Sequence, residues 1–128
     1  MKKIIALASL GALAQETRLD IFRLLVQAGG GGVAAGEIGD RLRLALPTLS
    51  FHLAQLKHAG LVLARRQGRS IIYAANYGAM SALLAYLTEN CCGGYADACA
   101  AVEAAPSSLR SSPEGAFPHE APARARRR

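Results

Sequence analysis

Apolar residues recur at helical spacing through the first sixty residues, and then the period changes. In MKKIIALASLGALAQ, Ile4, Leu7, Leu10 and Ala14 lie three or four apart, which predicts a first packing helix over 4–14. Leu19, Phe22, Leu25 and Val26 form a second stripe, which ends at Gly29 to Gly32. A shorter helix is predicted over Val33 to Leu42, with Ile38 and Leu42 facing inward. ALPTLSFHLAQLKHAG follows, in which Leu46, Leu49, Leu53 and Leu56 fit an amphipathic template, Pro47 lies in the opening turn and Gly60 follows the end. The other face of that helix carries Thr48, Ser50, Phe51, His52, Gln55 and Lys57. After Gly60, LVLARRQGRSIIYAAN holds two β-prone runs, Leu61 to Ala64 and Ser70 to Ala74. Arg-Arg-Gln-Gly-Arg joins them, so the stretch reads as a hairpin with a basic tip. Tyr77 to Asn90 returns to helix, with Met80, Leu83, Leu84 and Leu87 apolar.

Composition narrows the picture. A chain of 128 residues, 52% hydrophobic, is about one domain with enough apolar mass for a core. Only 5% of it is aromatic and it has no tryptophan, which favours aliphatic helix packing. The formal charge of +6 is unevenly spread: residues 1–105 hold ten Lys/Arg against seven Asp/Glu, and residues 106–128 hold five against two. The folded part is therefore only mildly basic, which permits nucleic-acid binding without proving it. From Pro106 onward the chain is Pro, Ser, Ala and Arg, so the expected organisation is one domain over 1–105 and a disordered basic tail over 106–128. The opening lysines and apolar run also look like a secretory signal, but the run is short, Gly11 interrupts it and its spacing is that of a packing helix. No other run approaches the roughly 20 apolar residues of a membrane span.

The order α-α-α-α-β-β-α, mainly helical with a β-hairpin wing, is that of a winged helix-turn-helix. A short helix with small polar side chains can enter the major groove of DNA, where Thr48, Ser50, His52 and Gln55 reach base edges and Pro47 and Phe51 lie alongside them. A hairpin bearing Arg65, Arg66 and Arg69 can hold phosphates or probe the minor groove. The plain alternative is a solvated turn beside a solvated helix face. An enzyme fits poorly: Gly29 to Gly32 lacks the Lys-Ser/Thr of a phosphate-binding loop, and nothing orients a Cys-His nucleophile.

EIGDRLRLALPTLSFHLAQLKHAGLVLARRQGRSIIY resembles the DNA-binding half of the ArsR/SmtB family of metalloregulatory repressors, and QETRLDIFRLLV resembles the turns that precede it. The similarity spans about residues 5 to 90 and is most specific at PTLSFHL, LKHAGLV and RRQGRSIIY. It implies a cytoplasmic homodimer that pairs through its first and last helices, sits on a near-palindromic double-stranded operator and leaves when a metal or metalloid binds. It also assigns the opening run to the fold rather than to secretion or a membrane. Two familiar sites of the family are missing. Gly36-Glu37-Ile38-Gly39-Asp40, where the best-known arsenic sensors carry paired cysteines, has no thiol. YGAMSALLAYLTEN, where zinc and nickel sensors use Asp, Glu and His, has only Glu89.

Attention therefore moves to NCCGGYADAC, which holds every cysteine of the chain: Cys91, Cys92 and Cys99. Gly93 and Gly94 permit a tight turn, and the six residues between Cys92 and Cys99 can fold back at modest entropic cost, so three sulfurs can converge on one ion. Thiolates select soft partners, and three without a nearby histidine suit trivalent arsenic or antimony, or a methylated arsenical, better than four-coordinate zinc. The resemblance agrees, since some arsenic-responsive members carry a Cys-Cys pair with a third cysteine just beyond the last helix. No organic cofactor is implied. The competing expectations are a disulfide switch joining Cys99 to Cys91 or Cys92, a cadmium or lead site, and cysteines buried at a dimer interface. A thiol-based arsenic carrier without DNA binding is the rival from another class. His52, His58 and His119 are too scattered to form a site by spacing.

Overall fold

Period changes in the chain become element boundaries in the computed structural model, which describes residues 1–94. The order is α1 (Lys3–Leu13), α2 (Glu16–Ala28), β1 (Val33–Ala34), α3 (Ala35–Leu42), α4 (Leu46–His58), β2 (Val62–Gln67), β3 (Ser70–Ala75) and α5 (Tyr77–Leu87). These lie in a first unit, Met1–Glu89; a second unit begins at Asn90. The expected tail over 106–128 and Cys99 lie outside the described residues.

Local chemistry sets the ends of the helices. The Gln15 side chain accepts from the Arg18 amide (2.8 Å) to cap α2, and Arg18 Nε donates to the carbonyl of Ala12 (2.7 Å), one of the last open acceptors of α1. Gly29 ends α2 at φ 93°, where a glycine carries no Cβ penalty. Asn76 starts α5: its Oδ1 accepts from the Ala79 amide (3.1 Å) while its Nδ2 donates to the carbonyl of Gly60 (2.9 Å), just past the end of α4. The Tyr77 hydroxyl donates to the Val26 carbonyl (2.8 Å), fixing the start of α5 on the end of α2.

The core forms where these elements meet. Ile21 and Leu25 of α2, Ile38 of α3, Leu49 and Leu56 of α4, and Leu61 before β2 are wholly buried. The strands make an antiparallel sheet in the order β1-β3-β2, with Val33 opposite Tyr73 and Arg65 opposite Ile72.

Three local expectations are corrected and one is sharpened. Val33 and Ala34 form strand β1 instead of opening α3; β-branched Val33 is buried on β3, and the strand approaches closely because a Cβ on Gly32 (φ 80°) would stand 2.6 Å from the Tyr73 carbonyl oxygen. The hairpin tip is two residues, Gly68 and Arg69, rather than five: Gln67 pairs with Ser70, and Gly68 takes the positive φ (63°) that tight hairpins favour. Helix α5 ends at Leu87, where the Thr88 hydroxyl donates back to the Leu84 carbonyl (2.8 Å). On α1, spacing alone left open what the apolar stripe packs against, and within the chain it faces outward: Ala6 and Ser9 are buried, while Ile4 and Leu7 are 73% and 59% exposed.

Candidate nucleic-acid interface

Helix α4 packs through Leu49, His52, Leu53 and Leu56, an i, i+3, i+4, i+7 set that begins one turn later than the predicted frame. Leu46 is consequently exposed, and His52 is not on the outer face where the sequence pattern placed it. It is buried, its Nδ1 has no hydrogen-bond partner among the described residues, and its ring meets Phe51 edge-on with centroids 5.5 Å apart. A histidine reads as polar in a sequence, yet its ring fills an apolar site when the flanking turns supply leucines. The frame starting at Leu49 contains four inward residues without strain and is the signal that would have found this.

Pro47, Thr48, Ser50, Phe51, Gln55 and Lys57 are all exposed, so α4 offers the solvent polar side chains on either side of one aromatic ring. The wing stands beside it. Arg65 donates through Nη2 to the Gly31 carbonyl and through Nη1 to Gln67 Oε1, both at 2.7 Å. The first bond moors β2 to the glycine loop after α2, so Arg65 is an anchor of the wing as well as a charge on it. Gly31 was invisible as a partner because it lies 34 residues away in sequence. Arg66 and Arg69 remain exposed near and at the tip.

Between α4 and the wing lies a cleft lined by Lys57, Ala64, Arg65, Arg66 and Ile71. Three cations and no acid line it, which is the donor set for a polyanion backbone rather than for a metal. The structure thus gathers Lys57, Arg65 and Arg66 in one cleft, while Gln55 of the same helix lines another cleft with Arg18 and His58 against α1.

Asn90, Cys92 and Gly93 in the second unit all take positive φ (56°, 65° and 59°), which folds Cys91–Gly94 into a tight turn. The Sγ atoms of Cys91 and Cys92 lie 2.8 Å apart. Non-glycine residues resist the left-handed region by about 1 kcal/mol or more, so the turn holds these two thiols on one side at a local cost. Among the described residues no group of three His, Cys, Asp or Glu side chains could hold a metal ion, and no helix is long and apolar enough to cross a membrane.

Known proteins share this arrangement. A helix-turn-helix domain family matches residues 13–65. The chain is similar to the transcriptional activator HlyU of Vibrio cholerae, 32% identical over 68% of this chain and 78% of the relative, whose structure superposes with a TM-score of 0.55. It is also similar to the transcriptional repressor SdpR of Bacillus subtilis, 35% identical over 51% of this chain and 69% of the relative. An ArsR-like transcriptional regulator from Rhodococcus sp. RHA1 matches with a TM-score of 0.60 at 26% identity, covering 78% of this chain and 91% of the other.

Proposed function

We propose a function that proceeds from the chain's family: it belongs to the ArsR/SmtB-type winged helix-turn-helix transcriptional regulators. It acts as a metalloid-responsive repressor that binds operator DNA as a homodimer and is released by trivalent arsenic or antimony at Cys91, Cys92 and Cys99. One observation carries the DNA-reading half: the helix that exposes Thr48, Ser50 and Gln55 also contributes Lys57 to a cleft holding Arg65 and Arg66. Neither a thiol-based carrier nor an enzyme has a use for that pairing.

In this reading α4 enters the major groove, Thr48, Ser50 and Gln55 meet base edges, and Arg66 and Arg69 hold backbone phosphates. His52 supports Phe51 from within. Two copies pair through the outward apolar residues of α1 and α5, where Ile4, Leu7, Leu84 and Leu87 are each more than half exposed. Such a surface is costly to leave in water and suits a second identical face. The protein works in the cytoplasm, where thiols stay reduced and able to ligate.

Support for the inducer comes from the thiols. Cys91 and Cys92 present adjacent sulfurs, and Cys99 follows close in sequence. Metalloid binding converts that turn into a chelate whose chain continues directly into α5. Helix α5 is in turn tied through Asn76 to Gly60 at the end of α4. A change at the end of α5 therefore has a bonded route to the reading helix. Coupling of about 1 to 3 kcal/mol suffices for release. The short sulfur separation also favours a second reading, in which oxidation of the thiols replaces metalloid binding.

Anisotropy of the reduced protein on DNA from upstream of its own coding sequence, titrated with arsenite, cadmium, zinc and peroxide, separates these readings. Release by stoichiometric arsenite, lost in Cys99→Ser, is expected. Release by peroxide alone makes the cluster a disulfide switch, and no DNA binding under any condition leaves the carrier. Because one similar protein is a repressor and another an activator, a promoter fusion fixes the sign.

A further inference from the structure

A short apolar line runs along the outer face of α4, ahead of His58. Pro47, Phe51 and Ala54 stand at i, i+4 and i+7 and are all exposed, with Ser50 on one flank and Thr48 and Gln55 on the other. Phe51 keeps 58% of its surface in solvent although it lies in the middle of a helix whose opposite face is fully packed. The buried His52 ring meets it edge-on, 65° from coplanar. An outward aromatic ring on a helix that reads the major groove gains most from an apolar group that covers it. The largest such group on the groove edge of duplex DNA is the C5-methyl of thymine; cytosine offers only a C5–H at the same place, and the other recognition features are hydrogen-bond donors and acceptors.

Resting on the DNA-reading function above, we infer that Phe51 reads a thymine through its C5-methyl group, so that the operator carries thymine where the middle of α4 crosses the groove. Pro47 and Ala54 extend the apolar line and present no donor that would recognise another base. Thr48, Ser50 and Gln55 read the polar edges to either side, which fixes the register of the ring. Specificity at that step then comes from desolvation of one methyl group, and its size follows from burying one carbon, about fourfold in affinity.

The test uses the full chain. Binding sequences are selected from a random duplex pool, each thymine of the selected site is replaced in turn by deoxyuridine, and affinities are read by anisotropy at one salt concentration. Deoxyuridine removes the methyl group and leaves the hydrogen-bonding edge intact. The expected result is one thymine per bound protomer whose methyl is worth about fourfold. Phe51→Ala should erase the thymine–uracil difference at that position alone, and Phe51→Gln should move the preferred base there toward adenine, whose edge suits an amide. Circular dichroism melts confirm that both variants fold, as the exposure of Phe51 leads one to expect. Deoxyuridine that is neutral at every position overturns the inference, and so does a methyl dependence that survives in Phe51→Ala. A pool that yields no selected sequence overturns the DNA-reading function itself, and this inference with it.

Discussion

Helices α2 and α1 are adjacent in sequence and similar in length, but α2 alternates apolar with charged residues while α1 is apolar almost all round, and they dispose of their apolar residues in opposite ways. Helix α2 buries Ile21 and Leu25 completely within its own chain. Helix α1 buries only Ala6 and Ser9 and turns Ile4, Ile5, Leu7 and Leu10 outward. Helix α5 behaves like α1, burying Leu83 and exposing Leu84 and Leu87. Helical periodicity states which residues share a face, but it does not state what covers that face. The small residues on the inner side of α1 let it lie close to the rest of the fold, and the large ones are left for another surface.

The comparison breaks most visibly in the core. Leu53→Ala, at 1% exposure, should lower unfolding free energy by about 2 to 5 kcal/mol, measured by urea denaturation. Leu7→Ala at 59% exposure should leave the folding of an isolated copy almost unchanged. If the two were equal, the division between inner and outer faces would be wrong. On the outer face, Leu7→Lys combined with Leu84→Lys should halve the mass seen by light scattering while helical content persists. A mass that stays dimeric would move the interface away from α1 and α5.

Smaller effects sharpen the same contrast at the wing. Gly32→Ala sets a Cβ against the Tyr73 carbonyl at positive φ and should cost about 2 kcal/mol of stability, because backbone and not a flexible side chain must yield. Asn76→Ala removes both the cap of α5 and its bond to Gly60 and should cost about 1 kcal/mol. The same variant should weaken the effect of arsenite on DNA affinity, read as the ratio of dissociation constants with and without arsenite. Arg69→Ala should leave stability alone and reduce the slope of log affinity against log salt by about one for each phosphate that the arginine had neutralised. An unchanged slope would show that Arg69 does not touch the DNA backbone.

Much of this architecture could be read from the residues alone. The succession of helices, the wing and the glycine stops were readable because each rests on local signals: a period, a proline in a first turn, a glycine at positive φ. What was not readable depends on distant partners. Strand β1 has two residues, too short for any period, and exists only because β3 lies beside it. His52 looked like a reader of DNA because a histidine among leucines matches a polar face until the packing frame is known. Arg65 looked like a free charge because Gly31 gives no sign of being an acceptor. Of the thiol site, the residue types carried the chemistry, and the structure adds the positive-φ turn that sets Cys91 and Cys92 sulfurs side by side.

The central claim is that the thiols after α5 and the DNA-reading face of α4 are energetically coupled, and coupling of this kind must be reciprocal. Calorimetric titration of the reduced protein with arsenite, alone and saturated with operator DNA, measures it directly. The account predicts that DNA weakens arsenite binding by the same factor by which arsenite weakens DNA binding, about 5- to 150-fold. Equal arsenite affinity in the two titrations would show that the cysteines bind metalloid without regulating anything at α4, and would contradict the account.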